Sequence, residues 1–177
     1  MDSPHLEPMV HKHFDVVIVG GGMVGLCLAL GLARVGVAVS VIEKGTFKDT
    51  AAATFDGRGS AIAAGSQRIL EGTGLWASLA AGAEPILEIR VADGASPLFL
   101  HYDSLDLGEG PLGWIVENSH TRKTLAAAVT NSHLPVFEKT ALVDARFEPD
   151  YVALTLDDGR MVETRLVVAA DGRHSAL

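Results

Sequence analysis

The 177-residue sequence predicts an α/β fold built on a parallel sheet. Three observations carry that reading. An unbroken apolar run, Val16-Val17-Ile18-Val19, ends in a glycine turn; an apolar segment of helical length follows; and a second apolar run, residues 37–42, is closed by Glu43. Continuous apolar runs suit parallel strands covered on both faces, and a crossover helix has to carry the chain from one such strand to the next.

The turn is Gly20-Gly21-Gly22-Met23-Val24-Gly25. Gly20 permits the tight turn off the strand, Gly22 lets the backbone approach a pyrophosphate, and Gly25 lets the helix lie close to the sheet. The free N–H groups and positive dipole end of that helix then face the phosphates. Residues 23–35 are apolar almost all round, through Leu26, Cys27, Leu28, Leu30 and Leu32, with Arg34 the one charge. That composition predicts a helix sandwiched between layers. Gly36 is placed to end it as a left-handed cap. Glu43 stands 23 residues after Gly20, at the carboxyl end of the second strand. A carboxylate there accepts from both hydroxyls of a ribose and repels a 2′-phosphate, which selects FAD or NAD over NADP.

After Glu43, residues 44–59 read as a long irregular segment, rich in Thr, Ala and Gly and ending in Asp56-Gly57-Arg58-Gly59-Ser60. A loop of that length inside a compact domain is usually functional. Residues 61–70 read as a helix with Ser60 as its N-cap, and 75–80 as a short helical turn. Partial alternation over 86–91, the turn signal Asp93-Gly94 and the run 98–102 read as antiparallel strands leaving the parallel domain. Residues 119–130 return to helix, with Leu125, Ala128 and Val129 as its apolar face. Val136-Phe137 is a short strand. Residues 141–148, 151–157 and 161–164 form a meander with Asp157-Asp158-Gly159-Arg160 as a hairpin turn. Residues 166–170 are a final buried strand running into Asp171-Gly172-Arg173. The chain divides accordingly into a disordered tail (1–13), a first nucleotide-domain part (14–83), an excursion that starts a second sheet (84–116) and a second nucleotide-domain part (117–177).

Composition narrows the partners. Apolar residues make up 48% of the chain and the mean hydropathy is +0.28, ample for a core. The net charge of −8 leaves no basic stripe for nucleic acid. Cys27, the single cysteine, cannot form an internal disulfide and is read as a packing residue. The polar N-terminus lacks the apolar stretch of a signal peptide, and no run reaches the length of a membrane span, so a cytoplasmic protein is expected. His5, His11 and His13 have no acidic or cysteine partners and are read as solvated, with no metal site.

Several motifs together resemble one family. Gly20-x-Gly22-x-x-Gly25-x-x-x-Ala29-x-x-x-x-x-x-Gly36 followed by Glu43 resembles the FAD form of the fingerprint. Asp56-x-Arg58, Gly113-Trp114-x-Val116-Glu117-Asn118, Arg122-x-x-Leu125 and Val167-Val168-Ala169-Ala170-Asp171-Gly172-Arg173-x-Ser175 then follow in the order of the class A flavoprotein aromatic hydroxylases. Among these the chain is most similar to the ubiquinone-biosynthesis hydroxylases, from Phe14 onward. The resemblance implies a Rossmann-like FAD-binding domain with a parallel sheet and an antiparallel meander, and residues 84–116 as the start of a substrate-domain sheet. It implies a cofactor set of Gly20, Gly22, Gly25, Glu43, Lys44, Arg58, Arg122, Asp171 and Gly172. Arg58 and Arg122 also read as solvated arginines, and Asp171-Gly172 as a plain turn. No residue is nominated as a catalytic acid or base; His101, Tyr102, His120 and His133 receive no role.

The chemistry so implied uses NAD(P)H as co-substrate and O₂ to hydroxylate a polyprenylated phenol, with the flavin as the reacting group. Such substrates partition into bilayers, so contact with the inner membrane surface or with a ubiquinone-biosynthesis complex is expected of the full-length protein. Family members continue well past the Asp171-Gly172 motif, into a Gly-Asp motif for the flavin pyrophosphate and most of the substrate sheet. The isolated 177 residues are therefore expected to bind FAD weakly and to show little or no hydroxylase activity. Alternatives are another FAD-dependent oxidoreductase of halogenase or epoxidase type, an NAD-dependent dehydrogenase, and a nucleotide-binding remnant.

Overall fold

The computed structural model describes residues 12–52, 54–94, 98–108, 110–175 and 177. In chain order the elements are β1 (Lys12–Val19), α1 (Met23–Arg34), β2 (Val39–Ile42), α2 (Phe47–Ala52), β3 (Gly59–Ala63), α3 (Ala64–Gly72) and α4 (Trp76–Ala80). These are followed by β4 (Ala83–Ile86), β5 (Glu88–Ala92), β6 (Phe99–Asp103), β7 (Gly113–Glu117), α5 (Asn118–Ser132), β8 (Val136–Phe137), β9 (Leu142–Phe147), β10 (Val152–Leu156) and β11 (Met161–Ala169). The chain falls into two compact units: one runs up to Ala52 and resumes at Leu125, and the other is the stretch between. The divisions expected at 83/84 and 116/117 thus differ from those of the contact-dense units.

The first unit is a six-stranded sheet in the order β8-β2-β1-β11-β10-β9. β1 pairs in parallel with β2 on one side and β11 on the other, while β9, β10 and the first half of β11 form the antiparallel meander. Strand β1 starts at Lys12, so Lys12 and His13 belong to the sheet and not to the tail. Burial follows the sequence: Val17, Ile18 and Val41 are fully covered, and Ser40 joins them by donating its hydroxyl to the Pro135 carbonyl at 3.0 Å. Val17, Val19, Ile42, Phe137, Leu154 and Val162 build the core on one face of the sheet. Residues 161–164 and 166–170 are not two strands but one, β11, and it is not uniformly buried: Leu166 is more than half exposed. The pairing with β1 continues through both stretches, which keeps the strand whole across the charged Arg165.

Helix α1 buries Gly25, Leu26, Ala29 and Leu30, a single stripe at helical spacing. Val24 is 71% exposed and Met23 and Leu28 are also exposed, so among the described residues the helix covers one side of the sheet and is not sandwiched. Its apolar outer face misled the sequence reading, because composition does not say how many layers surround a helix. Gly36, at φ +84°, ends it: its N–H and that of Val37 reach back to Ala33 and Leu32 carbonyls. Burial pushes the Cys27 thiol up to about 11 from the ordinary value of 9.0. Two pH units are about a hundredfold in thiolate, so alkylation by iodoacetamide at pH 8 is expected to run roughly a hundredfold slower than in the unfolded chain. Equal rates with and without denaturant would contradict that. The protonated thiol also stabilises the fold below the unfolded value, a contribution lost as pH rises through about 11.

The segment 44–59 is not wholly irregular. Thr46 Oγ1 accepts the Asp49 N–H at 3.0 Å and starts α2, whose Phe47 is buried.

The second unit holds the sheet β3-β7-β4, antiparallel throughout, and the hairpin β5-β6. Residues 59–63 form a strand where the sequence suggests a helix from Ala61. Ser60 is therefore no N-cap; its hydroxyl donates to Asn118 Oδ1 at 2.6 Å, and the helix starts at Ala64. The run 86–91 breaks at Leu87: the Ile86 carbonyl accepts from Leu112 and the Leu87 carbonyl from Ser104, so β4 and β5 enter different sheets. Trp76 and Trp114 meet edge to face, centroids 5.0 Å apart. On the hairpin, Ile89 pairs with Tyr102 and Val91 with Leu100, all four exposed, and both outer edges are unpaired among the described residues.

Candidate functional site

A cleft of about 370 Å³ opens at the carboxyl ends of β1, β2 and β11. Site volumes for small molecules start at about 300 Å³. The position follows from topology, because β1 sends the chain through α1 to β2 on one side while β11 flanks it on the other, and ligands of α/β sheets bind where strand order reverses. Val19, Gly20, Gly22, Ile42, Glu43, Lys44, Ala170, Asp171 and Gly172 line it on the sheet side, and Thr140, Ala141 and Leu142 form a facing wall. Six of the nine residues expected to hold a cofactor therefore gather in one place.

The glycine turn has a distinct physical reason at each position. Gly20 sits at φ +108°, and a Cβ there would lie 2.4 Å from the Ala170 carbonyl oxygen. Gly25 abuts the turn itself: a Cβ would come within 2.0 Å of the Gly20 carbonyl oxygen. Gly22, the N-cap of α1, is extended and exposed, and a Cβ on it would meet nothing within 4 Å. No side chain caps α1 and its first turn carries no acid, so its leading N–H groups and positive dipole end are left for an anion.

Glu43 binds the protein with both carboxylate oxygens. Oε2 accepts the Gly21 N–H at 2.6 Å and Oε1 accepts the Gly45 N–H at 2.7 Å. Gly21, the middle glycine, carries no role in the sequence reading, yet its Cβ would press on Glu43 at 2.9 Å. The signal for it was the unbroken Gly20-Gly21-Gly22 run. The backbone of Glu43 is tied to the facing wall as well: its N–H donates to the Phe137 carbonyl and its carbonyl accepts from Thr140. That wall lies almost a hundred residues on and was not foreseen as part of the site. Across the cleft, Asp171 Oδ1 accepts the Ser175 hydroxyl at 2.6 Å. The lining thus offers two carboxylates, an exposed lysine and uncapped helix N–H groups, and no imidazole or thiol. Such a set binds hydroxyls and phosphates. The open ground over Gly22 and the uncapped helix fit the diphosphate of FAD, and Glu43 and Asp171 fit its ribose and polyol hydroxyls.

Arg58 and Arg122 lie in the second unit, where both bond Asp56. Two of the unassigned histidines have structural partners: His120 Nε2 meets the Ser78 carbonyl at 3.1 Å and His101 Nε2 meets Glu88 at 3.2 Å. Glu88, His101 and Asp103 form the group of metal-capable side chains among the described residues. They are largely exposed, and Arg90 shares the same Glu88 carboxylate at 3.5 Å. His5 and His11 lie outside the described residues, and His13 is an exposed strand residue.

Residues 13–177 match the family model described as FAD binding domain. The ubiquinone hydroxylase UbiL of Rhodospirillum rubrum is 47% identical over 169 residues, covering 93% of this chain and 38% of that protein. The 3-demethoxyubiquinol 3-hydroxylase of Escherichia coli is 33% identical over 171 residues, covering 94% of this chain and 43% of that protein. Among solved structures, pqsL of Pseudomonas aeruginosa, a probable FAD-dependent monooxygenase, superposes with a TM-score of 0.71 at 25% identity, over 93% of this chain and 44% of that one. The chain thus spans about two-fifths of the length of the curated relatives it matches.

Proposed function

The chain belongs to the FAD binding domain family, and from that premise we propose that it is the FAD-binding portion of a monooxygenase that hydroxylates a polyprenylated phenol in ubiquinone biosynthesis. The observation that carries the cofactor half of this reading is the single cleft in which Glu43, Asp171 and the uncapped start of α1 converge. Gly20, Gly22 and Gly25 shape its floor, Glu43 takes the ribose hydroxyls, Lys44 sits beside the diphosphate, and Asp171-Gly172 approaches the flavin's polyol chain. Arg58 and Arg122 add positive charge for the same cofactor. The substrate half rests on the relatives whose names specify ubiquinone hydroxylation.

Bound FAD supplies the oxygen chemistry, with NAD(P)H as the reductant. The residues of this chain contribute position and charge: carboxylates that fix the sugar hydroxyls, and backbone N–H groups that hold the phosphates against the helix dipole. The strands β4, β5 and β6 are the proposed start of the substrate-binding sheet. No described helix is long and apolar enough to cross a membrane, and contact with the bilayer that holds the substrate is proposed to be peripheral.

Two measurements test the reading. Flavin fluorescence titration of this chain is expected to show saturable FAD binding that competes with ADP, the competition expected of an adenosine-side site. A protein of the relatives' full length is expected to oxidise NAD(P)H faster when a prenylated phenol is added and to release a product one oxygen heavier. A chain that leaves flavin fluorescence unchanged, or a full-length protein indifferent to the phenol, would overturn it.

A further inference from the structure

The turn Asp157-Asp158-Gly159-Arg160, which joins β10 to β11, reaches past its own hairpin and clasps the facing wall of the cleft. Asp157 grips Ala141 in both directions: its N–H donates to the Ala141 carbonyl at 2.9 Å, and its Oδ1 accepts the Ala141 N–H at 3.0 Å. Arg160 takes hold one residue earlier. Its Nη2 donates to Thr140 Oγ1 at 3.1 Å, and its guanidinium carbon lies 4.7 Å from the centre of the Phe137 ring. Asp158 fixes the same arginine from the other side, accepting Nε at 2.7 Å and, through Oδ1, the Arg160 backbone N–H at 3.0 Å. The hairpin needs neither wall contact to close: Gly159, at φ +85°, and the backbone bond from Leu156 to the Arg160 carbonyl do that already.

The wall does need holding. Lys139 sits in the left-handed region at φ +52°, a conformation that costs a non-glycine residue and persists only where its surroundings fix it. Thr140 is buried; its hydroxyl donates to the Glu138 carbonyl at 2.8 Å, and Arg160 supplies a donor to its oxygen. The wall in turn grips the segment after β2. The Glu43 N–H donates to the Phe137 carbonyl, and the Glu43 and Gly45 carbonyls accept from Thr140 and Lys139. Glu138 Oε1 accepts the Phe47 N–H at 2.6 Å. Arg160, Thr140, Phe137 and Glu43 all belong to the first unit, so the chain of contacts stays within it.

We propose that Arg160 is a positioning residue for the cleft: through Thr140 and Phe137 its guanidinium sets the wall that aims the Glu43 carboxylate at a ribose. This rests on the reading of Glu43 as the residue that takes the ribose hydroxyls. A guanidinium suits the place because its flat face covers the ring while its edge serves Asp158 and Thr140 at once.

The test follows competition of ADP and of 2′-deoxy-ADP against FAD by flavin fluorescence. It compares the wild type with Arg160→Met, Thr140→Val and the double variant, and melting temperatures are measured alongside. In the wild type ADP is expected to bind roughly tenfold more tightly than its deoxy analogue, the worth of one hydrogen bond to a charged group. In Arg160→Met that preference is expected to fall to about threefold or less, and in the double variant no further, because both changes break one link. Thr140→Val breaks it from the wall side and reports the same loss should Arg160→Met fold poorly. A purely structural role would lower the melting temperature and leave the preference for ADP in place. A variant that keeps the wild-type preference, or losses that add in the double variant, overturns the proposal and leaves the ribose reading of Glu43 standing. A wild type that binds the two nucleotides equally, or binds neither, removes that reading and the proposal with it.

Discussion

Alanine at Gly25 is expected to destabilise the fold by about 3 kcal/mol, against the usual rule for helices. In a helix interior alanine is better than glycine by roughly 1 kcal/mol. Here the new methyl would sit 2.0 Å from the Gly20 carbonyl oxygen and 3.3 Å from Ala170 Cβ. The first of these is backbone, held by the Gly20 N–H bond to Ile42, and cannot turn aside as a side chain would. Overpacking against such a neighbour costs typically 1–3 kcal/mol and sometimes more. Gly20→Ala carries the same kind of clash, 2.4 Å from the Ala170 carbonyl oxygen, plus the strain of φ +108°. For a chain of this size each 1 kcal/mol moves the melting temperature by roughly 2–4 °C, so falls of about 6–12 °C are expected for both. Gly22→Ala should behave differently. Its Cβ meets nothing within 4 Å, and the stability should hold within about 0.5 kcal/mol, while FAD affinity falls at least roughly tenfold because the methyl stands where the phosphate approaches. Thermal unfolding and FAD titration on the three variants separate the two effects. A Gly22→Ala chain that melts as low as Gly25→Ala would show that the turn is shaped for folding alone.

The contrast explains what the sequence made legible. The turn, α1 and Glu43 are encoded within one short segment, where strand, glycine spacing and acid can be read against each other. Elements set by distant pairing were not readable in that way. Ala61-Ile62-Ala63 has no period that favours a strand, and its partners in β7 lie some fifty residues on, so the local preference for helix prevailed in the reading. Leu166 looks buried because its neighbours are apolar, but burial depends on what packs over the strand, which the strand's own residues do not state. The contact between Asp56 and Arg122 belongs to the same group. Nothing within the motif Asp56-x-Arg58 announces that Arg122 will arrive from α5 to share the carboxylate. The facing wall at Thr140 was hidden for the reverse reason: it contributes backbone and small side chains, which carry no chemical signature in sequence.

Glu43→Gln is expected to weaken FAD binding about a hundredfold and to lower stability by about 1–2 kcal/mol, and the linkage of the two losses is the informative part. An ionised carboxylate has about four acceptor positions. Two are occupied by the Gly21 and Gly45 N–H groups, at 2.6 and 2.7 Å, which leaves two for the two hydroxyls of a ribose. An amide at this position keeps one oxygen. Its NH₂ would point at a backbone N–H, so one charge-assisted bond of about 1.5–3 kcal/mol becomes a repulsive contact, reduced by the site's partial exposure. The loop from Gly45 to the cleft wall loosens with it, because Glu43 also ties to Phe137 and Thr140 through its backbone. Loss of the negative charge removes the repulsion of a 2′-phosphate, so the preference for ADP over 2′-phospho-ADP should narrow in competition against FAD. Gly22→Ala separates affinity from stability, whereas Glu43→Gln should reduce both, since the atoms proposed to recognise the ribose are the ones that hold the turn and the loop in shape. Retained FAD affinity in a Glu43→Gln chain with a lowered melting temperature would assign Glu43 to the fold and move ribose recognition to another residue of the cleft.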